Sequence, residues 1–91
     1  MTKAAKLAMD AVTEVVQKNY QKPIQSFMVG GASKRGWTTW TTAATDDRVI
    51  AIAPVVIDLL NLVPSFQHHW RNYGFWAPAV SDYVREGVMN W

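Results

Sequence analysis

Apolar residues recur along the first twenty positions at spacings of three and four: Ala4, Ala5, Ala8, Val12, Val15, Val16 and Tyr20. That period predicts a helix over Thr2 to Tyr20 with one apolar face. Lys6, Asp10, Glu14, Gln17 and Lys18 fall largely on the opposite face, and Lys22-Pro23 breaks the pattern. Ile24 to Val29 is an apolar run of strand length, followed at once by Gly30 and Gly31. A second helix is expected from Ser33 or Lys34 to about Thr45, where Thr45, Asp46 and Asp47 form a polar turn. Its interior Gly36 weakens it by about 1 kcal/mol relative to Ala, so a glycine there needs a packing reason, such as a strand in close approach. Val49 to Ile57 is β-branched and nearly unbroken, as suits a parallel strand buried on both faces. Helix, strand, helix, strand with a right-handed crossover between the strands is a piece of a doubly wound sheet.

The texture changes after Asp58. Leu59 to Val63 stays apolar, and Ser65 is placed to cap a helix through His68, His69, Trp70 and Tyr73 that Gly74 ends. Pro78 is placed to open a further helix through Val84, with Gly87 at its end. This half is aromatic, with Phe66, Trp70, Tyr73, Phe75, Trp76, Tyr83 and Trp91. The expected organisation is one partial domain: a core segment over 1–60 and an aromatic helical, cap-like segment over 61–91.

Ninety-one residues allow one small domain at most. Yet 49% of them are hydrophobic and five are tryptophan. Some of that apolar surface must stay exposed or belong against other material, and self-association of the isolated chain is expected. The net charge of +2 is scattered, its densest basic spot being Lys34-Arg35, which argues against nucleic acid as a partner. There is no cysteine, so disulfides and thiolate metal sites are excluded. No apolar run is long enough to span a bilayer, because Pro54 and Asp58 interrupt the run from Val49 to Leu60. No secretion signal is visible in the N-terminal residues, where Asp10 and Glu14 interrupt the apolar positions. Nothing in the pattern calls for a cofactor.

The chemistry concentrates at Val29-Gly30-Gly31-Ala32-Ser33-Lys34-Arg35-Gly36, between the first strand and the second helix. A nucleophilic serine at a tight strand-to-helix turn needs small residues two positions either side. Gly31 satisfies the first requirement. The second position holds Arg35, with Gly36 one later, so the pattern is Gly-x-Ser-x-x-Gly. The helix N-terminus favours negative charge, and the backbone N–H of Lys34 stands where one oxyanion-hole donor belongs. Two other readings remain: a serine that simply caps the helix, and a phosphate loop, for which the Gly-Lys-Ser/Thr ending is missing.

The stretch Gly31 to Trp40 resembles the elbow of the PhoPQ-activated pathogenicity-related protein family. So do Val55 to Asn61, His68-His69-Trp70, and Tyr73-Gly74-Phe75-Trp76-Ala77-Pro78-Ala79-Val80. The resemblance implies a partial α/β-hydrolase, a three-layer sandwich represented here by two parallel strands, flanking helices and the start of a cap. It also implies a periplasmic or secreted parent linked to virulence, several times longer than this chain, with Ser33 as nucleophile. The resemblance does not carry a substrate over; a small-molecule or peptide substrate is expected of the parent as a hydrolase.

A hydrolase also needs an acid and a base, in the chain order Ser, acid, His. Asp58, at the C-terminal end of the strand after the elbow, is the candidate acid; otherwise it caps the next segment or faces solvent. His68 and His69 fit the order, but this fold supplies its histidine after the last strand, so packing or surface placement is the better reading. Neither has a further strong metal ligand at i+4, where Asn72 and Tyr73 stand. Lys34 and Arg35 are either solvated charge at a helix start or a means of attracting an acidic substrate or stabilising an anion; the second reading gains support because positive charge opposes the helix dipole there. The alternative function is a catalytically inactive, hydrolase-like secreted factor that works by binding. In either case the chain alone is expected to be inactive.

Overall fold

The computed structural model describes residues 1–90, so Trp91 and its expected aromatic role lie outside the described residues. The chain divides into two units, Met1–Ile57 and the residues from Asp58 onward. In the first, α1 (Thr2–Tyr20) leads to β1 (Phe27–Ala32), α2 (Lys34–Ala43) and β2 (Val49–Val55). The strands pair in parallel, Phe27 opposite Val49 and Ala32 opposite Val55, as expected of a piece of an α/β sheet. The register slips between Phe27 and Met28, which leaves Ile50 as an extra residue on β2.

The limits of the elements differ from expectation for physical reasons. β1 starts at Phe27 rather than Ile24 and runs on through Gly30 and Gly31 to Ala32. Glycine has both ladder groups, and Ser33 extends the pairing by donating its N–H to the Val55 carbonyl at 2.9 Å. β2 closes at Val55, because Val56 adopts φ 49°, outside any strand conformation.

One sheet face is covered by α2. Val29 and Gly31 lie on it with Ile52 and Pro54, all partly shielded. The opposite face carries Met28, Gly30 and Ala32 against Ala51, Ala53 and Val55, all exposed. Two threonines, Thr39 and Thr42, are the fully buried side chains beneath α2. Their hydroxyls donate to the Arg35 and Thr38 carbonyls one turn earlier, at 2.9 and 2.7 Å, so they enter the interior with no unmet polar group.

α1 corrects the amphipathic reading. Met9 is its buried residue, flanked by half-buried Thr2, Ala5, Lys6, Thr13 and Val16. Ala4, Ala8, Val12 and Val15, expected inside, are exposed. Lys6 and Asp10, expected outside, reach the turn before β2. Lys6 Nζ donates to the Thr45 carbonyl at 2.7 Å, and Arg48 bonds Asp10 at 2.8 Å while gripping Asp46 through both Nε and Nη2. The Arg48 guanidinium holds the Asp46 carboxyl down at about 2, and the two aspartates raise Arg48 in turn. Lys6 and Asp10 thus lie on the side of α1 that meets this turn, and much of the apolar stripe is turned away from it.

In the second unit, α3 (Leu62–Tyr73) begins three residues before the expected Ser65. Pro64 fits because it falls in the first turn, where no N–H is required. Gly74 ends α3 at φ 67°, a left-handed position that glycine takes freely. Pro78–Val80 forms a 3₁₀ turn that feeds α4 (Ser81–Arg85), in place of one continuous helix from Pro78 to Val84. Rings hold this unit together. Trp76 lies 5.0 Å from Trp70, 5.8 Å from Phe66 and 6.1 Å from His69 between centroids.

Candidate active site at the strand–helix turn

Ser33 stands between β1 and α2 at φ 52°, ψ −120°. A positive φ is costly for a side chain with a Cβ and persists only where the surroundings impose it. Here they do: the Ser33 N–H is tied to Val55 and its carbonyl accepts the Trp37 N–H at 3.1 Å, opening α2. The residue is exposed, and its hydroxyl makes no capping hydrogen bond to the helix. The turn therefore has the unusual backbone expected of an elbow, and the reading of Ser33 as a helix cap does not hold.

The displaced glycine has a geometric cause. A Cβ on Gly31 would stand 2.7 Å from the Arg35 carbonyl oxygen and 2.8 Å from Arg35 Cβ. Arg35 is thus accommodated two positions after the serine because Gly31, two before it, has no side chain. Gly36 completes the fit: a Cβ there would meet Ile57 Cγ2 at 2.5 Å and the Gly31 and Val55 carbonyls at 3.1 Å. The interior glycine lets the first turn of α2 lie against both strand ends.

Lys34 is the first residue of α2, and amides at that position have no carbonyl one turn earlier inside the helix. Losing one oxyanion-hole donor typically costs about 3 kcal/mol in a transition state. Asp58 lies in the second unit and accepts a hydrogen bond from the Ser65 hydroxyl at 3.3 Å. His68 is exposed, its Nε2 at 2.8 Å from the Asn72 side-chain nitrogen. The His69 ring stacks on Trp76 at an interplanar angle of 7° and tilts against Tyr73 at 4.9 Å. Asp58 and His68 thus have polar partners inside their own unit, whereas His69 has ring contacts only and its Nε2 is buried with no hydrogen-bond partner among the described residues. Among the described residues no group of three His, Cys, Asp or Glu is placed to hold a metal, and no helix is long and apolar enough to cross a membrane.

Two features of the turn's surroundings escape a sequence reading. Val56 takes φ 49° directly after β2, beside the strand end that bonds Ser33. A β-branched residue in that region is a genuine outlier, and nothing in the letters Val55-Val56-Ile57 signals it. The Asp46–Arg48–Asp10 network is the second. It gathers at the start of β2, the opposite end of the strands from Ser33, so the ion pairs brace one end of the sheet and the strained residues occupy the other.

No solved structure matches this chain. The autocrine proliferation repressor protein A of Dictyostelium discoideum is 45% identical over 91 residues, which are all of this chain and 18% of that protein. The chain thus spans less than a fifth of the length of the curated relative it matches. The sequence model of the PhoPQ-activated pathogenicity-related proteins matches residues 1–91, end to end. With the match covering every position, including the turn at Ser33 and the aromatic second unit, the chain belongs to the PhoPQ-activated pathogenicity-related protein family.

Proposed function

We propose that this chain is the elbow-bearing segment of a serine hydrolase with an α/β-hydrolase core, and that Ser33 is its nucleophile. The observation that carries the reading is the exposed, uncapped Ser33 hydroxyl at φ 52°, ψ −120° between a parallel strand and a helix N-terminus. In this mechanism Ser33 Oγ attacks the carbonyl of an ester or peptide substrate and its proton passes to a histidine. The Lys34 N–H stabilises the resulting oxyanion, and Asp58 orients the histidine. That histidine comes from residues beyond this segment, since this fold supplies it after the last strand and His68 is hydrogen-bonded to Asn72. A fluorophosphonate reagent should label Ser33 in a longer protein that carries this segment, and Ser33→Ala should abolish labelling. Undiminished labelling of the Ser33→Ala variant would sink the assignment. The 91-residue chain alone should not hydrolyse esters.

A second reading is a hydrolase-like factor, exported and linked to virulence, that acts by binding. It is favoured by the second-unit partners that Asp58 and His68 already have. The name of the Dictyostelium discoideum relative supports export, because an autocrine factor acts from outside the cell that makes it. Detection of the longer protein in the periplasm or medium tests this placement. In isolation the chain is proposed to self-associate, because a parallel sheet is stable only with both faces covered. The bare face of Met28, Ala32, Ala53 and Val55 and the outer strand edges supply the means. Sedimentation in dilute buffer should show concentration-dependent species; a monomer at all concentrations would remove this part.

A further inference from the structure

The second unit carries a hollow of about 440 Å³, a volume within the range of small-ligand sites. Gln67, Trp70 and Arg71 line it from α3, with Trp76, Met89 and Asn90 opposite. It is independent of the Ser33 turn and of any role proposed for it.

Its lining has three properties together. First, it offers an aromatic platform. Trp70 is 46% exposed, so a large ring face is open to a ligand. Trp76, in contact with it, is held on its other sides by Phe66 and by the stacked His69. Second, its polar groups have unused capacity. The side chains of Gln67, Arg71 and Asn90 make no hydrogen bond or ion pair to the described residues. Two amides each offer donors and an acceptor, and a guanidinium offers a fixed fork of donors. Third, the lining contains no carboxylate, so the Arg71 charge is not neutralised within the hollow.

We propose that this hollow binds an acidic sugar, a pyranose ring bearing a carboxylate. The apolar C–H face of the ring lies on the Trp70 indole, as a flat surface suits a flat surface. The Gln67 and Asn90 amides meet ring hydroxyls, which both give and accept hydrogen bonds. Arg71 takes the carboxylate through two parallel N–H bonds. A purely apolar aromatic ligand would leave both amides and the guanidinium without partners against it, which disfavours it.

In the longer protein that carries this segment, ¹⁵N-tryptophan labelling with the Trp70 and Trp76 indole signals assigned by substitution lets the site report on itself. Titration with methyl glucuronide should shift the Trp70 and Trp76 signals saturably and leave Trp37 and Trp40 in place. The neutral methyl glucoside should bind about tenfold or more weakly, the worth of one charge-assisted contact. Trp70→Ala should remove binding, and Arg71→Gln should bring the glucuronide down to the glucoside level. Arg71 is exposed and makes no contact that folding needs, so its variant decides the matter even if Trp70→Ala unfolds the unit. Absence of a saturable shift, equal competition by acetate, or an Arg71→Gln chain that keeps its preference would each overturn the proposal.

Discussion

The two units solve the problem of a small core in opposite ways. Met1–Ile57 relies on backbone and charge: a parallel ladder, two threonines buried under α2, and an arginine clamped by two aspartates. The unit from Asp58 onward has no strand among its described residues and no buried residue in α3, and it relies on rings in contact. Directional bonds fix a backbone in one geometry, strained where needed; aromatic contacts tolerate small shifts of angle at little cost. The first arrangement suits a turn that must hold Ser33 at a positive φ. The second suits a surface that adapts to what it meets.

The sharpest way to break the first unit is to give Gly36 a side chain. Gly36→Val pushes a branched Cβ into Ile57 and two carbonyls, at an expected cost of about 3 kcal/mol. Thermal melting followed at Trp37 and Trp40 should fall by many degrees, with the near-ultraviolet signal of the Trp70–Trp76 pair retained. The converse test is Trp76→Ala, which deletes the ring that three others touch. Trp76 is half-buried, so a loss of about 2 kcal/mol is expected. Hydrogen exchange should speed up in α3 and stay slow in β1 and β2. A common loss of protection in both units would contradict the division.

Acid separates them more gently. Asp46 is held at about 2 against an ordinary 3.8, so the unfolded chain takes up its proton first as pH falls. The contribution of the clamp is full above the ordinary value, declines below about pH 4 and is gone below about pH 2. Denaturant midpoints of the first unit should follow that course, and Asp46→Asn should flatten it. The smallest effect is expected at Ser33. Ser33→Gly relieves the positive φ and should stabilise the first unit by about 1 kcal/mol in urea titration, at the expense of any labelling. A destabilised Ser33→Gly chain would mean that the turn is not strained.

Much of the first unit is legible in sequence because its signals are local. β-branched Val49 to Val55 admits few alternatives to a strand, and Gly31 before Ser33 marks a tight turn. The strand limits were less so, since glycine reads as a breaker although it pairs in a parallel ladder as well as any residue. The orientation of α1 was hidden because Lys6 and Asp10 act through partners some forty residues away, at Thr45, Asp46 and Arg48. Val56 was hidden for the opposite reason: its side chain argues against the conformation its neighbours impose. In the second unit the aromatic residues were plain, but which ring meets which depends on loop path, and composition does not encode that.

The interlock of Gly31, Arg35 and Gly36 bears on how such sites are found. A text search for Gly-x-Ser-x-Gly passes over this chain, because the second glycine stands one place late. Yet what those letters encode is close approach: no side chain on the residue two before the serine, so that the new helix can press against it and against the strand ends. That approach exists here, distributed differently, with Arg35 packed into the place a side chain on Gly31 would take. A catalogue of strand-to-helix turns indexed by how closely the backbones meet around the serine, rather than by spelling, would hold members that no spacing rule predicts.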